Sequence, residues 1–504
     1  MNGRAFPRLL LLGAGAALVV LVAIAPAHPR WEAAAALPAN PPPGADGAPP
    51  PPGWRRPPLL ATVADASYGS PVRRLTAATD DLEPILRAGL QVESPDGALV
   101  LLYEDSRSNP FAKGMSTYRR IDGRRAPAPA GFRAGMPHWR PLGPPALVFF
   151  RGSGDYYPNA SAELVAWDVA SGAATVLSPP TGESDTRQGA TGGVGQTLFA
   201  ALPGAYSRHW QTTYPSRNGS RYAYWSVRQS VRGVALLDVS SSPPTAVGTL
   251  TSWPAAWGPV TGARVTPSGS AVLVSFAVAG VYVYDAAMTA CRRVMATRLL
   301  TDDVADVMVA AGSGHDTLVA VVDDAGVEDS GWVVAVDLVT FVRAPLFRVP
   351  RDGGPDGGPR VAVSGQAYDR PGWVVLSGDT CAAGAAGDWI CGKVVALEVS
   401  TRRVVPLATT HSCVDGGVRS RNSGAPATPN RDASRVYYTS GSEVCRGTME
   451  LYELQTVGRL EGGGAGAPPL RPPPLPVAVA PAATEAGGAS ASLPNTGLNV
   501  GIAI

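Results

Sequence analysis

The chain has 504 residues with 58 Gly, 49 Pro and only 16% charged residues, yet 45% of it is hydrophobic, which is enough for a sizeable core and excludes a wholly disordered protein. Lys+Arg 42 against Asp+Glu 40 gives a net charge of +2. With no basic run along the chain, there is no basis for nucleic-acid binding by phosphate neutralisation and no preference for acidic substrates.

The N-terminus places Arg4 and Arg8 before an apolar run from Leu9 to Ala25 that ends in Ala25-Pro26-Ala27. This is the layout of a secretory signal, either cleaved near residue 27 or retained as a signal anchor, and in both cases the remainder is expected outside the cytosol. Residues 28–58, rich in proline from residue 38 onward, and residues 461–504 read as disordered, extended spacers around one folded domain at 59–460. Leu493-Pro494-Asn495-Thr496-Gly497 has the form of a cell-wall sorting motif, but only Leu498 to Ile504 follow it, too short to span a bilayer, and it reads as coincidence.

Between the spacers one unit recurs: an apolar strand ending in an acid, a short turn and another apolar strand. It appears at Asp122, Asp168, Asp238, Asp285, Asp337, Glu398 and Glu453. Period-two alternation predicts half-buried strands, and the acid is placed to accept hydrogen bonds from the turn N–H groups. A second unit precedes each copy, a Pro/Gly/Asn/Asp turn leading into a strongly apolar strand, as in SPDGALVLLY at Asp96 and TPSGSAVLVSF at Ser268. Four strands per period of about fifty residues describe an all-β chain folded as a single β-propeller. About seven blades are expected, six or eight being compatible with the spacing. An orphan hairpin around Asp65, LLATVADASYGSPVRRL, is expected to close the ring onto the last blade and so remove its open edges.

The Ser94-Pro95-Asp96-Gly97 turn with its flanking strands resembles the TolB-like class of WD40-like propeller repeats, and Thr266-Pro267-Ser268-Gly269 is a looser version. The resemblance implies a propeller and, since members of that class mostly bind proteins, a binding role. The Gly-His and Trp-Asp signatures of true WD40 repeats are absent, Trp167-Asp168 being an isolated match.

In such a blade the first and third turns share one face and are short here, whereas the second turns and interblade links gather the length variation on the other, where a binding site is expected. Aromatic residues in those variable segments, Tyr156, Tyr157, Trp210 and Trp389, are candidates for contact with a protein or carbohydrate ligand, joined by the acids Glu328 and Asp329. Cys381, Cys391, Cys413 and Cys445 map to the same face, with Cys381–Cys391 and Cys413–Cys445 the favoured pairs in an oxidising compartment, while Cys291 is expected to be a buried free thiol. Asn159 and Asn218 stand in glycosylation sequons, although an Asn-Gly turn alone accounts for Asn218. His138, His209 and His411 map to interblade links without a second ligand beside them, so no metal and no cofactor are expected. No nucleophile elbow or phosphate loop is present. The reading is an extracytoplasmic binding module. The alternatives are a propeller hydrolase or lyase with carboxylates or histidines at the central channel, and a structural surface or coat protein.

Overall fold

In the computed structural model, the described residues are 57–76, 82–86, 88–106, 113–126, 137–151, 162–181, 210–212, 215–226, 233–241, 245–296, 304–322, 331–349, 361–378, 389–410, 426–440 and 450–461. All belong to the unit Met1–Gly462. They form seven antiparallel sheets, five of four strands, one of five and one of three, with a single 3-10 turn among the described residues at Ala255–Trp257. The fold is the all-β propeller that the repeats imply.

The first sheet in the ring has three strands, β3 (Leu82–Ile85), β4 (Leu99–Ser106) and β5 (Lys113–Arg119). Blade 2 comprises β6 (His138–Trp139), β7 (Ala146–Arg151), β8 (Ala162–Asp168) and β9 (Ala174–Thr181). Blade 3 has β10 (Trp210–Thr212), β11 (Arg221–Ser226), β12 (Val234–Asp238) and β13 (Thr245–Leu250). In blade 4 these are β14 (Val260–Val265), β15 (Ala271–Phe276), β16 (Gly280–Asp285) and β17 (Cys291–Met295). Blade 5 holds β18 (Ala305–Val309), β19 (Asp316–Val322), β20 (Trp332–Asp337) and β21 (Arg343–Arg348). Blade 6 holds β22 (Val361–Ser364), β23 (Trp373–Gly378), β24 (Lys393–Glu398) and β25 (Arg403–Thr409).

The last blade needs both ends of the domain. It takes β26 (Ala427–Pro429), β27 (Arg435–Ser440) and β28 (Glu450–Gln455) from the C-terminal side, then β2 (Pro71–Arg74) and β1 (Thr62–Ala64) from the N-terminal side. Val72 pairs with Leu454 and Arg74 with Tyr452, and Leu75 N–H continues the ladder to Leu451 O at 2.8 Å. The orphan hairpin thus closes the ring, with β2 as fourth strand and β1 as a fifth outside it.

Each sheet stands radially, so both of its faces lie against neighbours. This changes one expectation: the second and third strands are not half-buried. All seven residues of β19 and all six of β23 are buried, and Val394 to Leu397 are buried without a break. Strands covered on two sides read as continuous apolar runs. Exposure returns only at the outer edge, where β17 has the pattern eeeBB. Cys291 begins that strand and is therefore an exposed free thiol, not a buried one.

Core clusters accordingly lie between blades. One joins Leu273 and Val283 of blade 4 to Val319 and Val334 of blade 5 and to Val374 and Leu397 of blade 6. Another carries Tyr438 and Tyr452, stacked at 5.3 Å, against Val375 and Leu407 of blade 6. Side-by-side packing leaves little room where an outer strand meets the next blade. A Cβ on Gly248 of β13 would lie 2.3 Å from Ala286 O and 2.6 Å from Ala287 C. We expect Gly248→Ala to lower the unfolding free energy by about 1–3 kcal/mol at unchanged denaturant slope, the range for overpacking in a close contact, measured by urea denaturation.

Candidate functional site

The short-turn face is locked by side chains. In four blades the first turn repeats one arrangement: Gly97, Gly219, Gly269 and Ala433 donate their N–H to the carbonyls of Ser94, Ser216, Thr266 and Asn430. Leu99, Arg221, Ala271 and Arg435 N–H then donate to the side-chain oxygens of those same four residues. The fourth turn position needs a left-handed backbone, supplied by Gly97 at φ 71° and adopted by Ala433 at φ 54°.

The third turns use the acid as expected. Asp168 accepts from Ser171 N–H at 2.7 Å, Asp238 from Ser240 N–H at 2.9 Å, Asp285 from Thr289 N–H at 2.7 Å and Asp337 from Val339 N–H at 2.8 Å. Two of the seven acids depart from the pattern. The strand register puts Gln455 and Arg119 at the positions that Asp168, Asp238, Asp285, Asp337 and Glu398 occupy elsewhere. Glu453 lies two residues earlier and points into the seam with blade 1, paired with Arg120 at 3.3 Å. Asp122 lies beyond its strand, where it accepts from Arg124 N–H.

The channel mouth on this face is spanned by a charge pair. Arg431 in the last blade holds Asp369 through two bonds of 2.9 Å and reaches across to Arg217 O in blade 3, also at 2.9 Å. Its guanidinium is satisfied by protein, so this mouth reads as a tie between turns.

The inner strands carry a polar residue at one shared register position. Counting two residues along the second strand from the partner of the strand-end residue, the facing inner residue is His138, Arg264, Asp306, Ser364 or Thr428. Four of these link neighbouring blades. Arg264 donates to Asp306, which also accepts from Val307 N–H at 2.7 Å, Gly365 N–H at 2.8 Å and Gln366 Nε2 at 3.0 Å. Ser364 and Thr428 share a hydrogen bond of 3.0 Å, and Thr428 donates to Leu90 O at 2.9 Å, so Ser364 is the donor in the first. Asp306 is 0% exposed and fully subscribed, leaving no free valence for chemistry. Beside it, burial pushes the Tyr368 phenol above its ordinary pKa, with the Asp306 charge adding to the rise.

On the opposite, loop-bearing face the described surface is concentrated at blade 4. The link from β13 to β14 reads Thr251-Ser252-Trp253-Pro254-Ala255-Ala256-Trp257-Gly258-Pro259. Trp257 stacks on Tyr282 at 4.1 Å and meets the Phe276 edge at 5.1 Å, while Trp253 tilts onto Phe276 at 5.5 Å. Trp253 Nε1 donates to Gly258 O at 2.8 Å, and the second turn of the blade is pinned beneath by Val278 N–H to Trp257 O at 3.0 Å. Pro254, Ala255, Ala256 and Pro259 are exposed, and Val278 is 66% exposed. Between Asp238 and Asp285 the only charged residue is Arg264, which is buried in the interblade seam. The outcome is an aromatic platform on a rigid support, with the exposed Arg293 of β17 opposite Tyr282 at its outer edge.

Segment length does not single out Trp253 and Trp257, because their link is short. Two Trp four residues apart between prolines, within a charge-free stretch, was the available signal. Of the candidate contact residues, Trp389 is 4% exposed, edge-on to Phe347 at 4.8 Å with Nε1 donating to Arg348 O, and so belongs to the core between blades 5 and 6 instead of a ligand surface. Trp210 opens β10, paired with Ser226. His138 lies in strand β6 opposite Val148, not in a link, and is buried. Asn218 is exposed, its Oδ1 accepting from Ser216 Oγ and from both Ser220 N–H and Oγ. Cys391 is disulfide-bonded. Tyr156, Tyr157, Glu328, Asp329, Asn159, His209, His411, Cys381, Cys413 and Cys445 lie outside the described residues. Among the described residues no group of three His, Cys, Asp or Glu is placed to hold a metal ion.

No protein-family model matches this chain, and no curated protein matches it either. Among solved structures it is similar to an oligogalacturonate lyase from Vibrio parahaemolyticus at 11% identity, over 79% of this chain and 96% of that one, with a TM-score of 0.49. An oligogalacturonate lyase in complex with manganese aligns at 14% identity over 78% of this chain and 95% of that one, TM-score 0.48. The β-propeller domain of Cps50 (Swd1) from Myceliophteria thermophila aligns at 10% identity over 76% and 98%, TM-score 0.41.

Two outcomes follow from the polar scaffold. Replacing Asp306 by Ala removes the carboxylate that faces the buried Arg264 guanidinium and should destabilise the chain by about 3–5 kcal/mol in chemical denaturation. At the third turns, the Thr289 hydroxyl and the Ala290 and Thr289 N–H groups hold the Asp285 carboxyl below its ordinary range. A depressed folded-state pKa gives stability that is full above the unfolded value of about 4 and is lost as pH falls through the folded one. The stability gap between the chain and Asp285→Asn should therefore shrink as pH falls from about 5 to about 2, read by denaturant titration across that range.

Proposed function

We propose that this chain is an extracytoplasmic binding module, a propeller that presents a ligand surface on its loop-bearing face. The observation that carries the reading is the contrast between the two faces. One consists of short turns whose polar groups are consumed by their own hydrogen bonds, with Arg431 and Asp369 tying the channel mouth. The other carries, at blade 4, the half-buried Trp253 and Trp257 among the exposed side chains of Pro254, Ala255, Ala256, Pro259 and Val278. Exposed aromatic area on a rigid support is the usual form of a contact surface, since such rings add area with little loss of conformational freedom. Ligands of the protein or carbohydrate class fit that chemistry. The location outside the cytosol rests on the leader-like residues 1–27, and the Cys381–Cys391 and Cys413–Cys445 pairings belong to the same proposal.

A screen of the full chain against neutral and acidic glycans and against extracellular proteins tests this. A saturable partner whose affinity falls at least tenfold, about 1.4 kcal/mol, in Ala256→Glu but not in Asp285→Asn on the short-turn face is the expected result. Depolymerisation of a retained glycan would favour the hydrolase or lyase reading instead, and retention of nothing from either class would overturn the proposal.

A further inference from the structure

Positive and negative charges nearly cancel over the whole chain, 42 against 40, but they are unevenly placed: between Asp105 and Asp155 nine Lys and Arg residues stand against one acid, Asp122. The third turn of blade 1 gathers four of these cations in Arg119-Arg120-Ile121-Asp122-Gly123-Arg124-Arg125. Arg120 turns inward to Glu453 in the closure seam, whereas Arg119, Arg124 and Arg125 are exposed and Ile121 at the tip is 72% exposed. Asp122 lies 3.3 Å from Arg119 and 3.9 Å from Arg124, so one carboxylate answers two guanidinium groups.

The closing hairpin is built against this turn. Arg73 of β2 donates to Leu60 O at 3.1 Å and to Ile121 O at 2.7 Å, and a Cβ on Gly123 would lie 3.3 Å from Leu60 Cδ2. Leu59, exposed at the surface, bridges to Arg74 beside them. Aliphatic side chains ringed by guanidinium groups suit the headgroup zone of an anionic bilayer, where the apolar tip enters the acyl boundary while arginine binds phosphate. Ile121 and Leu59 have no ring to lie on a sugar, and a polyanion in water would leave both uncovered.

The place where the chain leaves the fold selects the same partner. The apolar run from Leu9 to Ala25, retained as an anchor, is joined through residues 26–56 to Pro57, directly before Pro58 and Leu59 at this patch. At about 3.1 Å per residue such a tether spans up to roughly 95 Å, enough to leave the propeller's orientation open. Its attachment point still decides which surface is held at high local concentration over the bilayer.

We propose that the third turn of blade 1, with Leu59 and Arg73, is a contact site for the anionic lipid headgroups of a membrane, which seats the rim of the short-turn face on the bilayer and turns the loop-bearing face outward. The anchor reading of residues 1–27 supplies the tether, and the contact itself is made by residues of the propeller.

The test uses the full chain with Cys291→Ser, which removes the exposed thiol, and a nitroxide on Ile121→Cys or, as a control on the exposed third turn of blade 5, on Val339→Cys. Each is reconstituted in vesicles of phosphatidylcholine alone or with roughly 30% phosphatidylglycerol. The nitroxide at residue 121 is expected to be at least fivefold less accessible to a water-soluble nickel chelate in the anionic vesicles than in the neutral ones. That difference should vanish in Arg119→Glu/Arg124→Glu/Arg125→Glu at unchanged melting temperature, and in about 0.5 M NaCl. Residue 339 should stay in water in both. Equal accessibility of residue 121 in the two vesicles, or an equal change at residue 339, would overturn the inference. Heparin bound by the chain and lost in the triple variant, with residue 121 in water throughout, would assign the patch to an acidic glycan and overturn it too. Alkaline carbonate separates the contact from the anchor. A chain that resists extraction while residue 121 stays in water overturns the contact alone, whereas an extractable chain whose residue 121 is still shielded in anionic vesicles supports the contact and removes the anchor.

Discussion

A radial sheet has two apolar faces, and each must be covered by another sheet. Every feature of this chain answers to that constraint. A blade with one neighbour would leave the continuous apolar runs of β19, β23 or β24 in water, so the array is stable only as a closed ring. Closure cannot be achieved by the C-terminal strands alone, because β28 would end the last sheet with an open edge. The hairpin β1–β2 supplies the missing fourth strand and one beyond it, tying residues 62–74 to residues 450–455. The two ends of the domain are thereby held in a single sheet.

Apolar faces hold neighbouring blades together without fixing how far one slides along another. Direction comes from the polar groups set into the seams. The Arg264–Asp306–Gln366 chain and the Ser364–Thr428–Leu90 chain run from blade to blade at one level of the inner strands. At the closure seam Glu93 accepts from Arg435 and Tyr437, with burial holding the Tyr437 phenol well above its ordinary pKa. Apart from the half-buried Arg435 these groups are buried and partnered, and a misregistered blade would leave them unsatisfied at a high cost. They act as alignment devices.

Once the ring is fixed, the two faces are free to differ. First and third turns must reverse the chain within a few residues, so they hold conserving chemistry: Asx and hydroxyl caps, a left-handed fourth position, an acid at the strand end. The opposite face has no such demand, and at blade 4 it uses the freedom to raise two tryptophans on a short proline-flanked link, supported from below by Phe276 and Tyr282. That cluster inherits its rigidity from the blade beneath it.

How much of this was legible in the sequence can be argued from particular residues. The turn signatures at Ser94, Ser216, Thr266 and Asn430 and the acids at Asp168, Asp238, Asp285 and Asp337 determine the strands and their order, because they act within a few residues and their hydrogen bonds are local. The hairpin at Asp65 announced ring closure by having no partner of its own. Neighbours decided the rest. Cys291 is exposed because β17 is outermost, Trp389 is buried because Phe347 of the preceding blade covers it, and Glu453 answers to Arg120 more than three hundred residues away instead of to its own turn. The platform at Trp253 and Trp257 exists only because a link and a second turn, separated in sequence by two strands, meet on the same blade end. Local hydrogen bonding therefore belonged to the sequence, whereas exposure, seam partners and the aromatic platform of blade 4 required the packing of one blade on the next.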